Sequence, residues 1–346
     1  MSHQVKWGVI GSGGIARRRT IPEGIVAADN AILISVFDVN SQINAEVAKE
    51  SNARAVSSIE ELLASDIQAV YIATPAKFHC AQVIAAAQAG KHVLCEKPLG
   101  MSVTESDQML AVCKQNHVKL GTAFMMRFQS QHQAALKMVQ EGKLGNLVSG
   151  RAQLSCWYPP MEGAWRQNPE MSGGGSLMDM GGHCIDLLEM YFGEVKKVHC
   201  FINNTIHAYK AEDSAVATLF FENGAMGIVD TFFCIPDNSS KNILELYGSK
   251  GSILAKGTIG QGEAGEMVAF LSQDEAGYNA QQARNQNDKI LISPEPVNMY
   301  RREIEVFSQA ILDKREPSNC AELGIKSQKI IAACYESART GNAIAL

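Results

Sequence analysis

The sequence contains no CxxC pair, no apolar run near the length of a membrane span, no basic excess and no low-complexity segment. Each absence removes a class. Nine cysteines, an odd and unpatterned set, read as reduced thiols of a cytosolic protein and not as a disulfide framework. A net charge of −5 with mixed signs offers no footprint for nucleic acid. The short apolar runs rule out a helical membrane span. The opening MSHQVKWGVIG leads straight into a strand-like segment with no signal peptide ahead of it, so a cytoplasmic protein is expected. What remains, 346 residues with 46% hydrophobic and 19% charged, is enough chain for two domains with their own cores.

The first third alternates short apolar runs with amphipathic stretches. VKWGVIG (5–11), ILISVFDV (32–39), AVYIATP (69–75), HVLCEKP (92–98) and KLGTAFMM (119–126) read as buried strands. Helices are predicted between them: 41–51 capped by Ser41, one entered through a Ser58/Glu61 capping box, one ending on Gly90, and one entered near Thr104/Asp107. That alternation predicts a parallel sheet with helices on both faces. From about residue 127 a helix (129–141) gives way to strands of antiparallel character, with ENGA and GSKG as hairpin turns. Residues 256–297 are polar and Gly-rich, predicted as loops with one or two short strands, and two helices close the chain. The predicted division is a dinucleotide-binding domain over 1–126 and a substrate and oligomerisation domain over 127–346, the last helices packing back on the first.

GVIGSGGIA places Gly11, Gly13 and Ala16 in a G-x-G-x-x-A pattern, with Gly14 and Ile15 inside the turn, after a strand and at the start of a helix. Gly11 suits the tight turn, Gly13 lets backbone approach a pyrophosphate, and small Ala16 allows close helix–strand packing. Asp38 ends the second strand, 22 residues after Ala16. A carboxylate there accepts hydrogen bonds from ribose hydroxyls and repels a 2′-phosphate, which favours NAD over NADP. Of Arg17, Arg18 and Arg19, one is in reach of a phosphate, though a solvated helix face explains most of them. Thr74, Pro75 and His79 in ATPAKFH, and Glu96 and Lys97 in CEKP, fall at the C-terminal ends of further strands, the ligand edge of an open parallel sheet. Lys97 is well placed there to meet a substrate hydroxyl; its plain alternative is a surface lysine paired with Glu96.

GGGSLMDMGGHCIDL (173–187) surrounds titratable groups with glycine, which costs a helix about 1 kcal/mol per residue. Asp179, His183 and Asp186 stand at i, i+4 and i+7, on one face of an α-helix.

Taken together, the N-terminal glycine turn, ATP…H at 73–79, EKP at 96–98, GGGSLMDMGGHCIDL, LELYGSKGSI (244–253), YRREIEVFSQAI and YESART resemble the glucose–fructose oxidoreductase / inositol dehydrogenase / rhizopine catabolism (Gfo/Idh/MocA) family of dehydrogenases, over nearly the whole chain. The resemblance implies a Rossmann domain followed by an α/β domain on an open, mostly antiparallel sheet, which in such proteins commonly packs against another subunit's sheet in homodimers or homotetramers. It implies hydride transfer between nicotinamide and a secondary alcohol or ketone of a sugar, cyclitol or related polyol, with Lys97, Asp179 and His183 as the catalytic set. The Lys97–Pro98 bond is often cis in relatives.

In that chemistry a base must lie within reach of the hydroxyl whose carbon loses hydride, and histidine, with an unperturbed pKa of about 6.5, suits that role at position 183. Lys97 shares the role or stabilises the developing alkoxide. Asp179 orients a substrate hydroxyl or the imidazole, while Asp186 reads as structural. The glycines would then open the backbone to cofactor and substrate. Arg127, Trp165 and Arg166 are further substrate-binding candidates, the last two through stacking and guanidinium hydrogen bonds. No metal is expected. Two other readings share the fold: a glycosidase that retains NAD, and a nucleotide-sensing regulator without catalysis. The retained Lys97, Asp179 and His183 weigh against the regulator.

Overall fold

Val5, Trp7 and Val9 bury on one side of the first strand and Ile10 on the other, the period-2 signature of a strand covered on both faces. The computed structural model describes residues 4–272, 280 and 289–346. By contacts the chain divides into two units, Met1–Phe128 with Gly163–Gly174 and Asn298–Ala332, and Gln129–Glu162 with Gly175–Val297 and Ala333–Leu346.

In the first unit, β1 (Val5–Ile10), β2 (Ala31–Phe37), β3 (Arg54–Ala55), β4 (Ala69–Ile72), β5 (His92–Glu96) and β6 (Leu120–Ala123) form a parallel sheet in the order β3-β2-β1-β4-β5-β6. One face packs Trp7, Tyr71 and Leu94 against Ile304 and Phe307 of helix Met299–Leu312. There the Trp7 indole N–H donates to Ser308 Oγ at 3.1 Å, so burying it leaves no donor stranded. The other face packs Ile10, Val70, Ile72 and Val93 against Leu62, Val83 and Met109, from helices α2 (Ile59–Ala64), α3 (His79–Gln88) and α4 (Val103–Gln115). Each large apolar side chain buried this way contributes roughly 1.5–3 kcal/mol.

Helix ends follow local chemistry, with two corrections to expectation. Helix α1 (Ser41–Glu50) is capped by Asn40, not Ser41; its side chain accepts from the amides of Gln42 and Ile43. The box at α4 is Ser102 with Glu105, two residues before Thr104/Asp107: Ser102 accepts from the Glu105 amide and Glu105 from the Met101 amide. Ser58 caps α2 as expected, and Gly90 follows α3 at φ +70°. The strand predicted over 119–126 stops at Ala123 and passes into a 3₁₀ turn, Met125–Phe128. The helix after the glycine turn is a π-helix, Ala16–Ile25, with Pro22 inside it; lacking an N–H, proline cannot carry the regular ladder.

The second unit starts with α5 (Ser130–Gln140), capped by Gln129. It holds a nine-stranded sheet of β7 (Leu147–Ser155), β8 (Val195–Asn203), β9 (Ser214–Phe221), β10 (Met226–Phe232), β11 (Ile243–Gly248), β12 (Gly251–Lys256), β13 (Glu266–Leu271), β14 (Lys289–Leu291) and β15 (Ile344–Ala345). The order is β14-β13-β12-β11-β7-β10-β9-β8-β15, antiparallel except where β7 runs parallel to β10. ENGA and GSKG are the turns of the β9–β10 and β11–β12 hairpins. In the 256–297 stretch, β13 and β14 are the short strands; 273–279 and 281–288 lie outside the described residues. Helix Gly182–Phe192 covers one sheet face so closely that a Cβ at Gly150 would strike the Phe192 ring. Among the described residues no helix is long and apolar enough to cross a membrane.

Candidate active site

The glycine turn follows β1 directly. Gly11 takes φ +81°, and a Cβ there would lie 2.9 Å from the Ala73 and Thr74 backbone, so only glycine fits. The Gly13 amide donates to Asp38 Oδ2 at 2.9 Å and the Asn40 amide to Oδ1 at 2.9 Å. A carboxylate has about four acceptor positions, so Asp38, only partly buried, retains capacity for a ligand. Gly14, at φ +50°, has open space where a side chain would project. Ser12 is buried and its hydroxyl oxygen has no hydrogen-bond partner in the protein. A helix start without a side-chain cap, an orphaned hydroxyl and a bare glycine make an anion cradle of the kind a pyrophosphate occupies, so these residues fit a dinucleotide. The arginines behind the turn are engaged elsewhere. Arg17 pairs with Glu46 (2.9 Å) and Glu50 (2.6 Å), Arg19 with Glu23 (2.6 Å), and Arg18 Nε donates to the Gly14 carbonyl.

At the C-terminal edge of β4 and β5, His79 joins the two expected ligand segments. Its Nε2 lies 2.9 Å from the Thr74 carbonyl oxygen and its Nδ1 3.0 Å from that of Pro98. The ring is buried, which pulls its pKa below the ordinary 6.5. Thr74 Oγ1 donates to Gln82, and the Lys97–Pro98 bond is cis. Glu96, beside Lys97, accepts from the buried Tyr71 hydroxyl, which in turn accepts from Thr20 Oγ1 at 2.9 Å. Burial holds Glu96 above the usual carboxylate range, with Lys97, Tyr71 and Arg166 pulling the other way. Arg166 lies over the Trp165 ring at 4.3 Å, and Arg127 sits in the 3₁₀ turn after β6. Glu96, Lys97 and Arg166 therefore form one electrostatic group in the first unit, while Asp179 and His183 belong to the second. Tyr71 and Thr20 carried no sequence signal; the β4–β5 pairing brings Tyr71 beside Glu96, and Thr20 reaches Tyr71 from the helix after β1.

Asp179 and His183 lie where the glycine run becomes helix, but the first turn differs from the expected α repeat. Leu177–Gly181 is a π turn and the α-helix proper begins at Gly182. Asp179 is partly exposed; His183 and Asp186 are buried. The glycines were expected to open access, yet three have reasons inside the protein. Gly173 (φ +83°) ends the short helix Pro169–Ser172, a Cβ on Gly175 would run into the Glu212 carbonyl, and one on Gly181 would press on the Leu177 side chain at 2.8 Å.

Comparison with known proteins settles the family. Residues 5–124 match the oxidoreductase family with an NAD-binding Rossmann fold, and residues 132–254 match the GFO/IDH/MocA C-terminal domain. The chain is 30% identical to the D-xylose 1-dehydrogenase (NADP(+)) 2 of Haloferax volcanii, over 98% of this chain and 99% of that one. The chain belongs to the Gfo/Idh/MocA family. Within that family it is also 28% identical to 1,5-anhydro-D-fructose reductase of Ensifer adhaerens, over 98% and 97% of the two chains. The crystal structure of levoglucosan dehydrogenase in complex with NADH and levoglucosan shares the fold, with a TM-score of 0.86 at 23% identity and 99% coverage of each chain. As a Gfo/Idh/MocA protein, the chain is an NAD(P)-binding Rossmann oxidoreductase.

Proposed function

We propose that this protein interconverts a secondary alcohol and a ketone on a sugar, cyclitol or related polyol, with NAD as its preferred cofactor. The observation that carries the reading is the Glu96–Lys97 pair at the carboxyl edge of the parallel sheet, in a chain that also retains Asp179 and His183 at the start of a glycine-bounded helix. Relatives named for D-xylose and 1,5-anhydro-D-fructose, and a fold neighbour holding levoglucosan, support the substrate class.

Gly11 to Ala16 and Asp38 would hold the dinucleotide, with Thr74, Pro75 and Glu96 along the same sheet edge and His79 fixing two of those segments. The nicotinamide supplies the hydride acceptor or donor when bound. His183 takes the hydroxyl proton on oxidation and returns it on reduction. Lys97 holds the substrate oxygen and stabilises its negative charge. Asp179 orients a substrate hydroxyl, and Arg127, Trp165 and Arg166 bind the rest of the ring. The NAD preference rests on Asp38, whose carboxylate repels a 2′-phosphate, and on Arg17 and Arg19 being held by carboxylates of their own. One relative is named for NADP(+) and a neighbour structure contains NADH, so the cofactor differs among similar proteins. We assign self-association as a homo-oligomer to the sheet face bearing Phe201, Val216, Phe220, Met226, Ile228 and Tyr247, all exposed in the single chain.

The test is formation of reduced nicotinamide with D-xylose, levoglucosan and myo-inositol, NAD and NADP in parallel. Turnover should fall about 100- to 10,000-fold in Lys97→Met and His183→Asn with NAD binding kept. Full activity in both variants would contradict the assignment.

A further inference from the structure

Helix Gly182–Phe192 and its π opening start without a local cap. Ser176 stands at the cap position but makes no capping hydrogen bond; its hydroxyl donates instead to the Thr231 carbonyl at 3.1 Å. The first amides of a helix need acceptors, and burial makes leaving them unpaired costly. Here the acceptor comes from far along the chain. The Glu212 carboxylate accepts from the Gly175 amide on Oε2 (2.8 Å) and from the Leu177 amide on Oε1 (3.0 Å), while its main-chain carbonyl accepts from the Ser176 amide (3.0 Å). Three successive amides of the run are thus held by one residue. Tyr335 closes the arrangement by donating its hydroxyl to Glu212 Oε1 at 2.8 Å.

Glu212 is itself fixed. It is 7% exposed, and the next residue, Asp213, accepts from the amides of Thr205, Ile206 and His207 at 2.7–2.8 Å and from Ser214 Oγ at 2.6 Å. Gly175 then has a physical reason: any side chain there would collide with Glu212 and lift the turn off its anchor. Asp179 is two residues past the last clamped amide, and its own amide donates to the Gly175 carbonyl at 2.9 Å.

We propose that Glu212, braced by Tyr335, is a positioning residue that clamps the start of this helix and so sets the placement of Asp179 and His183. This rests on the reading that those two side chains act on substrate. Glu212 touches neither substrate nor cofactor in the proposal. A carboxylate is required because each of its oxygens accepts from a backbone amide; glutamine would turn its NH₂ toward the Gly175 or the Leu177 N–H in either orientation.

The experiment compares wild type, Glu212→Gln and Tyr335→Phe by peptide-resolved hydrogen exchange over 175–183 and by steady-state kinetics, with thermal melts to verify folding. Exchange in 175–183 should accelerate at least about tenfold in Glu212→Gln and less in Tyr335→Phe, with the β1–β6 sheet unchanged. In the kinetics kcat should fall about 10- to 100-fold in Glu212→Gln and several-fold in Tyr335→Phe, with KM for NAD unchanged. Wild-type exchange in 175–183, or an undiminished kcat in a folded Glu212→Gln, would overturn the proposal. If Glu212→Gln does not fold, Tyr335→Phe decides by the same two readouts. If the wild type turns over no sugar alcohol, the functional reading fails by itself, and exchange at 175–183 still decides whether Glu212 is the clamp.

Discussion

Among the described residues two glycine-rich turns each lead into a π-helical segment whose cap residue gives no side-chain hydrogen bond, and each is tied to a carboxylate distant in sequence. At the first, Asp38 takes the Gly13 amide; at the second, Glu212 takes those of Gly175 and Leu177. The difference lies in what is left over. Asp38 is partly exposed and has acceptor positions to spare, beside a glycine with empty space and a buried hydroxyl without a partner. Glu212 is buried, with a tyrosine hydroxyl taking a third acceptor position beside the two amides. One turn is built with room for a ligand, and the other is closed to fix side chains beyond it. Glycine serves opposite purposes in the two places, as space for something else in the first and as contact with the protein in the second.

Substituting the glycines should expose that contrast most strongly. Gly175→Ala drives a methyl group into the Glu212 backbone, and we expect a loss of about 3 kcal/mol or more in denaturant unfolding. Gly14→Ala meets no atom within 4 Å and costs only the strain of positive φ, about 1 kcal/mol, while weakening NAD binding. Equal stability losses would erase the distinction. The smallest effect is electrostatic. Burial holds His79 below its ordinary 6.5 and Glu212 above its ordinary 4.5. As pH falls below 6.5 the unfolded chain protonates at position 79 before the folded one does, so stability is lost toward acid. As pH rises past 4.5 the unfolded chain ionises at position 212 first, so stability is lost as pH climbs through the raised folded value. Wild-type minus variant stability, measured from pH 4 to 8 for His79→Gln and Glu212→Gln, should slope in opposite directions by at most about 1.4 kcal/mol per pH unit. Slopes of one sign would contradict these shifts.

The first turn was legible because its logic is local: strand, glycine pattern, helix and a carboxylate one strand later all lie within 38 residues. The alternation of the parallel strands was legible for the same reason. The caps at Asn40 and Ser102 were misplaced by one and two residues, since Ser41 and Thr104 are also competent capping residues and sequence does not rank such neighbours. At the second turn the glycines and Asp179 and His183 stood out, but the clamp did not. Glu212 and Tyr335 lie 35 and 158 residues past Leu177 and carry no motif; only folding of the second unit assembles them. The Thr20–Tyr71–Glu96 chain was hidden in the same way.

The most direct test of the contrast is the NAD dissociation constant of folded wild type, Asp38→Asn and Glu212→Gln, measured by calorimetry. An open ligand carboxylate and a closed structural one predict that Asp38→Asn weakens NAD at least about tenfold, while Glu212→Gln leaves it within about twofold. NAD binding lost in Glu212→Gln but kept in Asp38→Asn would contradict the account.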